Sequence, residues 1–360
     1  MTVRTRYFVI VSLLVIVVGL GTGLVAYYVG FPTSAFFSRG GVDELRFLPS
    51  SASVIAYADV REVMASELRQ RFRKAVAGGA QENGQREFQN LTGINIETDI
   101  ERVVACFDTT VSGSGGMGGG VVLARGLFDD VKIESLMRQH GARVEDYKGK
   151  RLIIADRFNS GFPSGDNRDS NDPALQAPPF PRSPENFALA FIEPGLVGLG
   201  SLNLVQHAID LHATGGGSVA TNEELMSQIR GMEGGNVWAV GRMDVLRARA
   251  KLPEIVANQL PPITWFSVRG RIDGGLQAVL SAEARDDESA KNLRDVVRGF
   301  LALAKLQTSS KPEFQRFVQS LELSGTGRTV ALSVEVPSQV FDALGALTAT
   351  PPMPRPNPEH

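Results

Sequence analysis

SVIAYADV, residues 53–60, is the stretch on which the fold turns. It is a short, apolar, β-branched run, the signature of a strand. Its last two residues already belong to something else. Asp59 stands three residues before Glu62, the spacing of a capping box. Val60, Met64, Leu68, Phe72 and Val76 then recur every four residues, with Glu62, Glu67, Arg69, Arg71, Arg73 and Lys74 on the other faces. That periodicity predicts one amphipathic helix ended by Gly78-Gly79. A strand running straight into a capped helix is the unit from which the rest of the chain is read.

Outward from there, strands are expected at about 101–109 and 120–128, joined by the glycine-rich segment 113–120. A helix at about 130–140 and a hairpin over 144–156, turning at Lys148-Gly149, follow. Residues 157–186, rich in Asn, Asp, Ser and Pro, read as a loop. A second hairpin over 187–200 turns at Pro194-Gly195, and Ser201 is expected to cap a helix to about His212. Thr221 and Glu224 form another capping-box pattern.

NVWAVGRMDV, residues 236–245, then resembles the opening run and ends in the same Asp-Val, which suggests an internal repeat. The order of elements follows suit. A helix interrupted at Pro253 (244–260) precedes strands at 264–272 and 276–284 and a helix from Asp286 to about 306. A hairpin around Gly325-Thr326-Gly327 comes next. Val330, Leu332, Val334 and Val336 alternate with Thr329, Ala331, Ser333 and Glu335, a period of two that implies one buried sheet face. Ser338 is expected to cap a last helix carrying Val340, Phe341, Leu344 and Leu347. The fold class expected is α+β: antiparallel sheet with helices on one face, built from two similar halves, 48–213 and 214–347, with a Pro-rich tail at 348–360. Whether the halves share one continuous sheet is open at this point.

LPSSASVIAYADV (48–60), LTGINIETDIERV (91–103), WAVGRMDV (238–245) and NLRDVVRGFLALA (292–304) resemble an uncharacterised family of bacterial membrane-anchored extracytoplasmic proteins, a domain of unknown function. The resemblance covers most of the chain after residue 45 and implies that topology and location. It implies no catalytic, cofactor or metal residues.

The N-terminus carries its own signal. Residues 7–29, YFVIVSLLVIVVGLGTGLVAYYV, contain no charged side chain. As a helix they extend about 34 Å, enough for a hydrocarbon core of about 30 Å. Arg4 and Arg6 precede the run and the next charge is Arg39, a bias that favours a cytoplasmic N-terminus. The expectation is a single transmembrane anchor over 1–30, a tether over 31–47, and an extracytoplasmic, periplasmic domain held at the inner membrane. A cleaved signal peptide is the alternative, although the run is long and Leu24 stands two places before Ala26.

Composition narrows the function. Thirty-seven Lys and Arg against 39 Asp and Glu give a net charge of −2, without the basic excess of a nucleic-acid binder. One cysteine excludes an intrachain disulfide and a cysteine-based zinc cage. The segment 113–120 lacks the Gly-Lys-Ser/Thr and the following helix of a phosphate cradle, so a hairpin loop is expected. His207 and His212 are five apart, not the three or four that puts two ligands on one helix face; His140 and His360 stand alone. Asp166, Asp169 and Asp172 with Asn167 and Asn171 do not have the spacing of a calcium loop. Asp59 and Asp244, and Asp129-Asp130 and Asp286-Asp287, recur between the halves. Each pair lies where a strand passes into a helix, so capping is expected rather than catalysis. Cys106, inside VVACF, reads as a buried inert thiol. No catalytic, cofactor-binding or metal site is assigned. The function expected is a non-enzymatic, membrane-tethered binding or scaffold protein of the cell envelope, partnered by the inner membrane through 7–29 and by an envelope protein. The alternatives are a small-ligand sensor, with an apolar pocket between the halves near Trp238, Trp265 and Phe266, and an envelope enzyme.

Overall fold

The computed structural model describes residues 43–75, 86, 88–90, 92–111, 118–155, 187–243, 261–307 and 317–337. The apolar run 7–29, the glycines at 113–117, the loop 157–186, the helices expected at 244–260 and after Ser338, and the tail 348–360 lie outside these residues. No helix among the described residues is long and apolar enough to cross a membrane.

The order of elements follows the sequence reading closely. Strand β1 (Val54–Asp59) passes into helices α1 (Val60–Ala65) and α2 (Glu67–Ala75). Strands β2 (Ile100–Asp108) and β3 (Gly119–Gly126), helix α3 (Asp130–Gln139), and hairpins β4–β5 (Arg143–Tyr147, Lys150–Ala155) and β6–β7 (Phe187–Glu193, Leu196–Ser201) come next. Helices α4 (Leu202–Thr214) and α5 (Glu223–Arg230) follow, then β8 (Val237–Arg242), β9 (Ile263–Ile272), β10 (Gly275–Ala284), α6 (Asp287–Gln307), β11 (Glu322–Ser324) and β12 (Thr329–Pro337). The tight turn at 148–149 has φ of 52° at Lys148 and 76° at Gly149, two consecutive left-handed residues that match the twist of a two-residue hairpin.

The strands form one sheet of twelve, in the order β11-β12-β10-β9-β8-β1-β2-β3-β7-β6-β5-β4, every pair antiparallel. At its middle β1 pairs with β8, Ala56 opposite Ala239 and Tyr57 opposite Trp238. The question of continuity is thereby answered: both halves belong to a single sheet.

The helices do not lie on one face. Leu204, Val205, Ala208 and Ile209 of α4 and Leu225 and Ile229 of α5 pack with Ile55, Tyr57, Val104, Leu123, Trp238 and Val240 in the largest core. Val60, Val63 and Met64 of α1 pack instead with Val103 and Val237, the alternate residues of β2 and β8, hence on the opposite face. That second face also receives α6, through Leu293 and Val297 against Ala284 and Val330, and Leu301 and Ala304 against Leu276 and Leu280. The physical reason is visible in β1, whose burial runs almost unbroken along the strand. An apolar run without alternation is a strand covered on both sides. The expectation of one-sided cover extrapolated from β12, where the alternation is real.

Two local expectations are also corrected. The helix from Val60 is broken at Ser66, whose backbone is extended (φ −62°, ψ 145°) and whose hydroxyl accepts from Arg69 N at 3.2 Å. Ser66 thus serves as a second cap inside a sequence whose apolar spacing reads straight through it. Residues 43–47, moreover, expected as the end of the tether, belong to the fold. A 3-10 turn, Asp43–Phe47, buries Glu44, Leu45 and Phe47 in the largest core. Phe47 stacks on His212 of α4, ring centroids 5.7 Å apart.

If this turn is part of the core, Phe47→Ala should cost about 3–5 kcal/mol in equilibrium denaturation, the usual penalty for emptying a buried aromatic site. Leu127→Ala, at an exposed position, should stay within about 0.5 kcal/mol. Equal effects would show that the turn is only laid on the surface.

Candidate functional site

A row of ionisable side chains crosses the face that carries α4 and α5. Asp59 on β1 stands opposite Arg102 on β2, and Arg102 opposite Arg125 on β3. The 3-10 turn presses Glu44 onto this row. Its Oε1 accepts from Arg102 Nε at 3.1 Å and from Arg125 Nε at 2.7 Å. Arg125 Nη2 then donates to Glu193 Oε1 at 2.7 Å, and Arg46 Nη2 to Glu193 Oε2 at 3.3 Å. His212 Nε2 is 3.7 Å from the same Glu193 oxygen, and Arg46 lies over the Phe47 ring at 4.6 Å. Burial opposes the charge on Glu44, but the bonds from Arg125 and Arg102 outweigh it and hold its pKa below the ordinary carboxylate value. Burial works against the charge of Arg125 as well, but the carboxylates of Glu44 and Glu193 raise its pKa.

Two oxygens in this row are buried without a hydrogen-bond partner, Glu44 Oε2 and Asp59 Oδ2. Asp59 is fully buried and caps α1 through Oδ1, which accepts from Glu62 N at 3.4 Å. Burial, supplemented by the Glu62 charge, pushes its pKa up to about 8, although the Glu62 N–H and the cations Arg102 and Arg61 pull the other way. At neutral pH the group is therefore held largely as the neutral acid. Asn236 closes the end of the row. Its Nδ2 donates to Ile272 O at 2.7 Å and to Glu62 Oε2 at 3.5 Å, and its Oδ1 accepts from Ile272 N at 2.7 Å.

A second feature is a groove of about 450 Å³ between the turn at 233–235 and strands β9, β10, β12 and β11. It is lined by Arg269, Arg271, Gln277, Ser320, Glu322 and Glu335 among others. Arg269 Nη1 donates to Gly231 O (3.4 Å) and Glu233 O (3.2 Å), and Arg271 Nη1 to Gly234 O (3.0 Å), so the guanidiniums brace the turn that forms one wall. The groove offers mixed hydrogen-bonding groups and lies wholly beyond β8. It is not the apolar pocket expected near Trp238, Trp265 and Phe266. Trp238 instead stacks on Tyr57 at 5.3 Å, and Trp265 Nε1 donates to Glu224 Oε1 at 3.2 Å; both rings belong to the core.

The remaining candidates fall mostly where a structural role puts them. Asp129 accepts from Lys132 N at 2.9 Å and caps α3, and Asp286 accepts from Ser289 N at 2.7 Å at the start of α6. Asp130 accepts from Val131 N, whereas Asp287 is the first residue of α6. Asp244, His360 and the Asp166–Asp172 cluster lie outside the described residues. His140 caps the end of α3, its Nδ1 2.9 Å from Leu136 O, and His207 is exposed on α4. Cys106 is buried, and burial pushes its thiol up, out of the reactive range. Two caps differ from expectation. Asn222, not Thr221, caps α5, accepting from Glu224 N and Leu225 N. Ser201 precedes α4 without bonding to it; its hydroxyl exchanges hydrogen bonds with the Gly120 backbone across the sheet. The Glu44–Arg102–Arg125 row itself has no sequence signal, because its members come from three separated segments.

No protein-family model matches the chain, and no curated protein does. Among solved structures it is similar to TP0453 in crystal form I, at 11% identity and a TM-score of 0.41, over 87% of this chain and 100% of that one. Crystal form IV of TP0453 matches at 8% identity and a TM-score of 0.42, over 86% and 98%. Likeness at this level carries no functional argument.

The row makes two predictions. Glu44→Gln keeps the shape but removes the buried charge that Arg102 and Arg125 share, leaving Arg125 with Glu193 alone, and should cost about 3–5 kcal/mol in denaturation at neutral pH. Asp59 should act in the other direction with pH. Its folded pKa is raised, so its contribution is fully present below the unfolded value near 4 and is lost as pH rises towards about 8. Asp59→Asn, which keeps the cap acceptor, should flatten the stability–pH curve in that window and be neutral or stabilising at pH 8. Asp59→Ala should cost about 0.5–2 kcal/mol through the lost cap. Identical slopes for wild type and Asp59→Asn, followed by denaturation at several pH values, would remove the buried acid from the account.

Proposed function

We propose that this chain is a membrane-tethered, extracytoplasmic binding or scaffold protein of the bacterial envelope that has no enzymatic activity of its own. The observation that carries the reading is the way the chain enters the fold. The charge-free run ends at Val29, and the buried turn begins at Asp43. Leu45, Phe47 and Leu48 are locked in the core while Glu44 ties the same turn to β2 and β3. Arg4 and Arg6 before the run favour an N-terminus in the cytoplasm and a sheet outside it.

The two flanks of the sheet are read as copies of one unit. In each, three successive strands lead to a helix opened by an Asp, at Asp129 and at Asp286, and a hairpin then returns beside the third strand, β7 beside β3 and β12 beside β10. The guanidiniums are committed to the row itself, Arg102 and Arg125 to Glu44 and Arg125 and Arg46 to Glu193, which suits a rigid scaffold. A second reading, a binding domain for a small polar ligand, is favoured by the groove at Arg269, Arg271 and Glu335.

A reporter enzyme fused after residue 350 distinguishes the compartments. Activity confined to the extracytoplasmic side, with the protein retained in membranes after an alkaline wash, is the expected result. Cytoplasmic activity would overturn the topology, and loss on washing would overturn the tether.

A further inference from the structure

Helix α6 has two apolar sides. One is spent on the sheet: Leu293, Val297, Leu301 and Ala304 face β10 and β12. The other is not. Phe300 is 45% exposed, Leu303 55% and Leu306 74%. At about 100° per residue, Val296, Gly299, Phe300, Ala302, Leu303 and Leu306 sweep one arc that carries no charge over residues 296–306, with Asp295 at its N-terminal end. Large apolar side chains grouped in this way on a folded surface mark a contact. The charges bordering the arc are biased. The helix opens on the acids Asp287 and Glu288, but within residues 296–306 its only charges are the cations Arg298 and Lys305; Asp295, just before, pairs with Arg298 at 3.0 Å. On the same side of the sheet Leu127 and Val131, at the start of α3, are exposed by 73% and 75%.

We propose that the C-terminal half of α6, residues 296–306, is a lipid-facing surface that lies on the anionic headgroup layer of the membrane to which the chain is tethered. The inference rests on the tethered reading above. An apolar arc edged by cations is the pattern of a helix lying in an interface, and α6 is not apolar enough to cross one. The geometry allows it. Residues 30–42 separate the charge-free run from the buried turn, and thirteen residues reach at most about 45 Å. The sheet therefore never leaves the neighbourhood of the bilayer, and a patch that meets a surface there needs no affinity of its own beyond a weak one. A second copy of the chain is disfavoured as the occupant, because the two cationic borders would face each other.

The test uses the full chain reconstituted in vesicles of phosphatidylcholine with phosphatidylglycerol. With Cys106→Ala as background, Leu303→Cys carries an environment-sensitive fluorophore, and Glu223→Cys on α5, on the other sheet face, carries the same label as a control. The Leu303→Cys label should shift to the blue and lose roughly half or more of its emission to spin-labelled lipid, while the Glu223→Cys label stays unquenched. An unquenched Leu303→Cys label on protein that remains membrane-bound after an alkaline wash overturns this inference and leaves the tether standing; release on washing overturns the tether instead. Copy-to-copy crosslinking through Leu303→Cys without lipid quenching would assign the surface to self-association and overturn it too. Equal quenching in phosphatidylcholine alone would overturn the anionic headgroup assignment. Unchanged melting of both labelled variants shows that each retains the fold.

Discussion

The antiparallel pairing of β1 with β8 is the constraint on which the rest depends. These strands are far apart in sequence, and each is the first of its flank. Unpaired, they would leave two half-sheets, each with an open apolar edge of the kind that templates aggregation. Paired, they place Tyr57 against Trp238 and bury Ile55 and Val240 beneath them. Gly241 makes the join possible on the other face. A Cβ there would stand 2.6 Å from the Phe266 ring and 2.9 Å from Val54. Without that side chain, Phe266 of β9 can lie across β8 toward β1.

Once the middle is fixed, the edges follow. The outer strands are β4 and β11. The first is short and largely exposed, with Arg143 paired to Glu145 on its surface, and the second has three residues. Both are poor templates for a further strand, which protects the open edges of the sheet. The cover is divided accordingly. Helix α4 covers one face of the first flank and α5 reaches on the same face to Trp265 of β9 and Glu283 of β10, and α1, α2, α3 and α6 stand on the other face. The 3-10 turn at Asp43–Phe47 fills the gap beside α4, and Glu44 carries a charge into that gap. The cost of burying it is offset by two guanidiniums, Arg102 and Arg125, which stand opposite each other on β2 and β3 and share its charge.

The sequence carried most of the strand positions openly, since local chemistry determines them. Lys148-Gly149, Pro194-Gly195 and Asp273-Gly274 are turns whatever the rest of the chain does. What it carried less openly was decided by partners distant in sequence. Nothing in the four-residue spacing of Val60, Met64 and Leu68 shows that Ser66 will break the helix so that α2 can turn toward β10, where Leu68 N donates to Asp273 O at 2.8 Å. Ser201 has the composition of a cap, but Gly120 across the sheet claims its hydroxyl. The unbroken apolar character of SVIAYADV and VVLARG did announce cover on both faces; the alternation in β12 is a property of a strand near the edge. The charged row was not legible at all. Glu44, Arg102, Arg125 and Glu193 look like ordinary surface charges until the topology brings four segments together.

The capping aspartates show how position in the sheet sets the chemistry of one local motif. Asp59, Asp129 and Asp286 each follow a strand and each accept a backbone N–H from the first turn of the next helix. In an isolated helix the three would be equivalent, each a charge favoured by the dipole. Asp286 keeps its charge, because Ser289 and Arg285 bond to it in the open and lower its pKa. Asp129 is likewise open to water. Asp59 caps a helix that leaves the central pair, where α1, β2 and Asn236 exclude solvent, and the one acceptor bond it makes does not balance that loss. Its second oxygen has no partner, so the proton stays. The same cap is therefore held toward the anion at Asp286 and toward the acid at Asp59. The difference comes from how far each strand lies from the β1–β8 join, not from the residues adjacent to the aspartate.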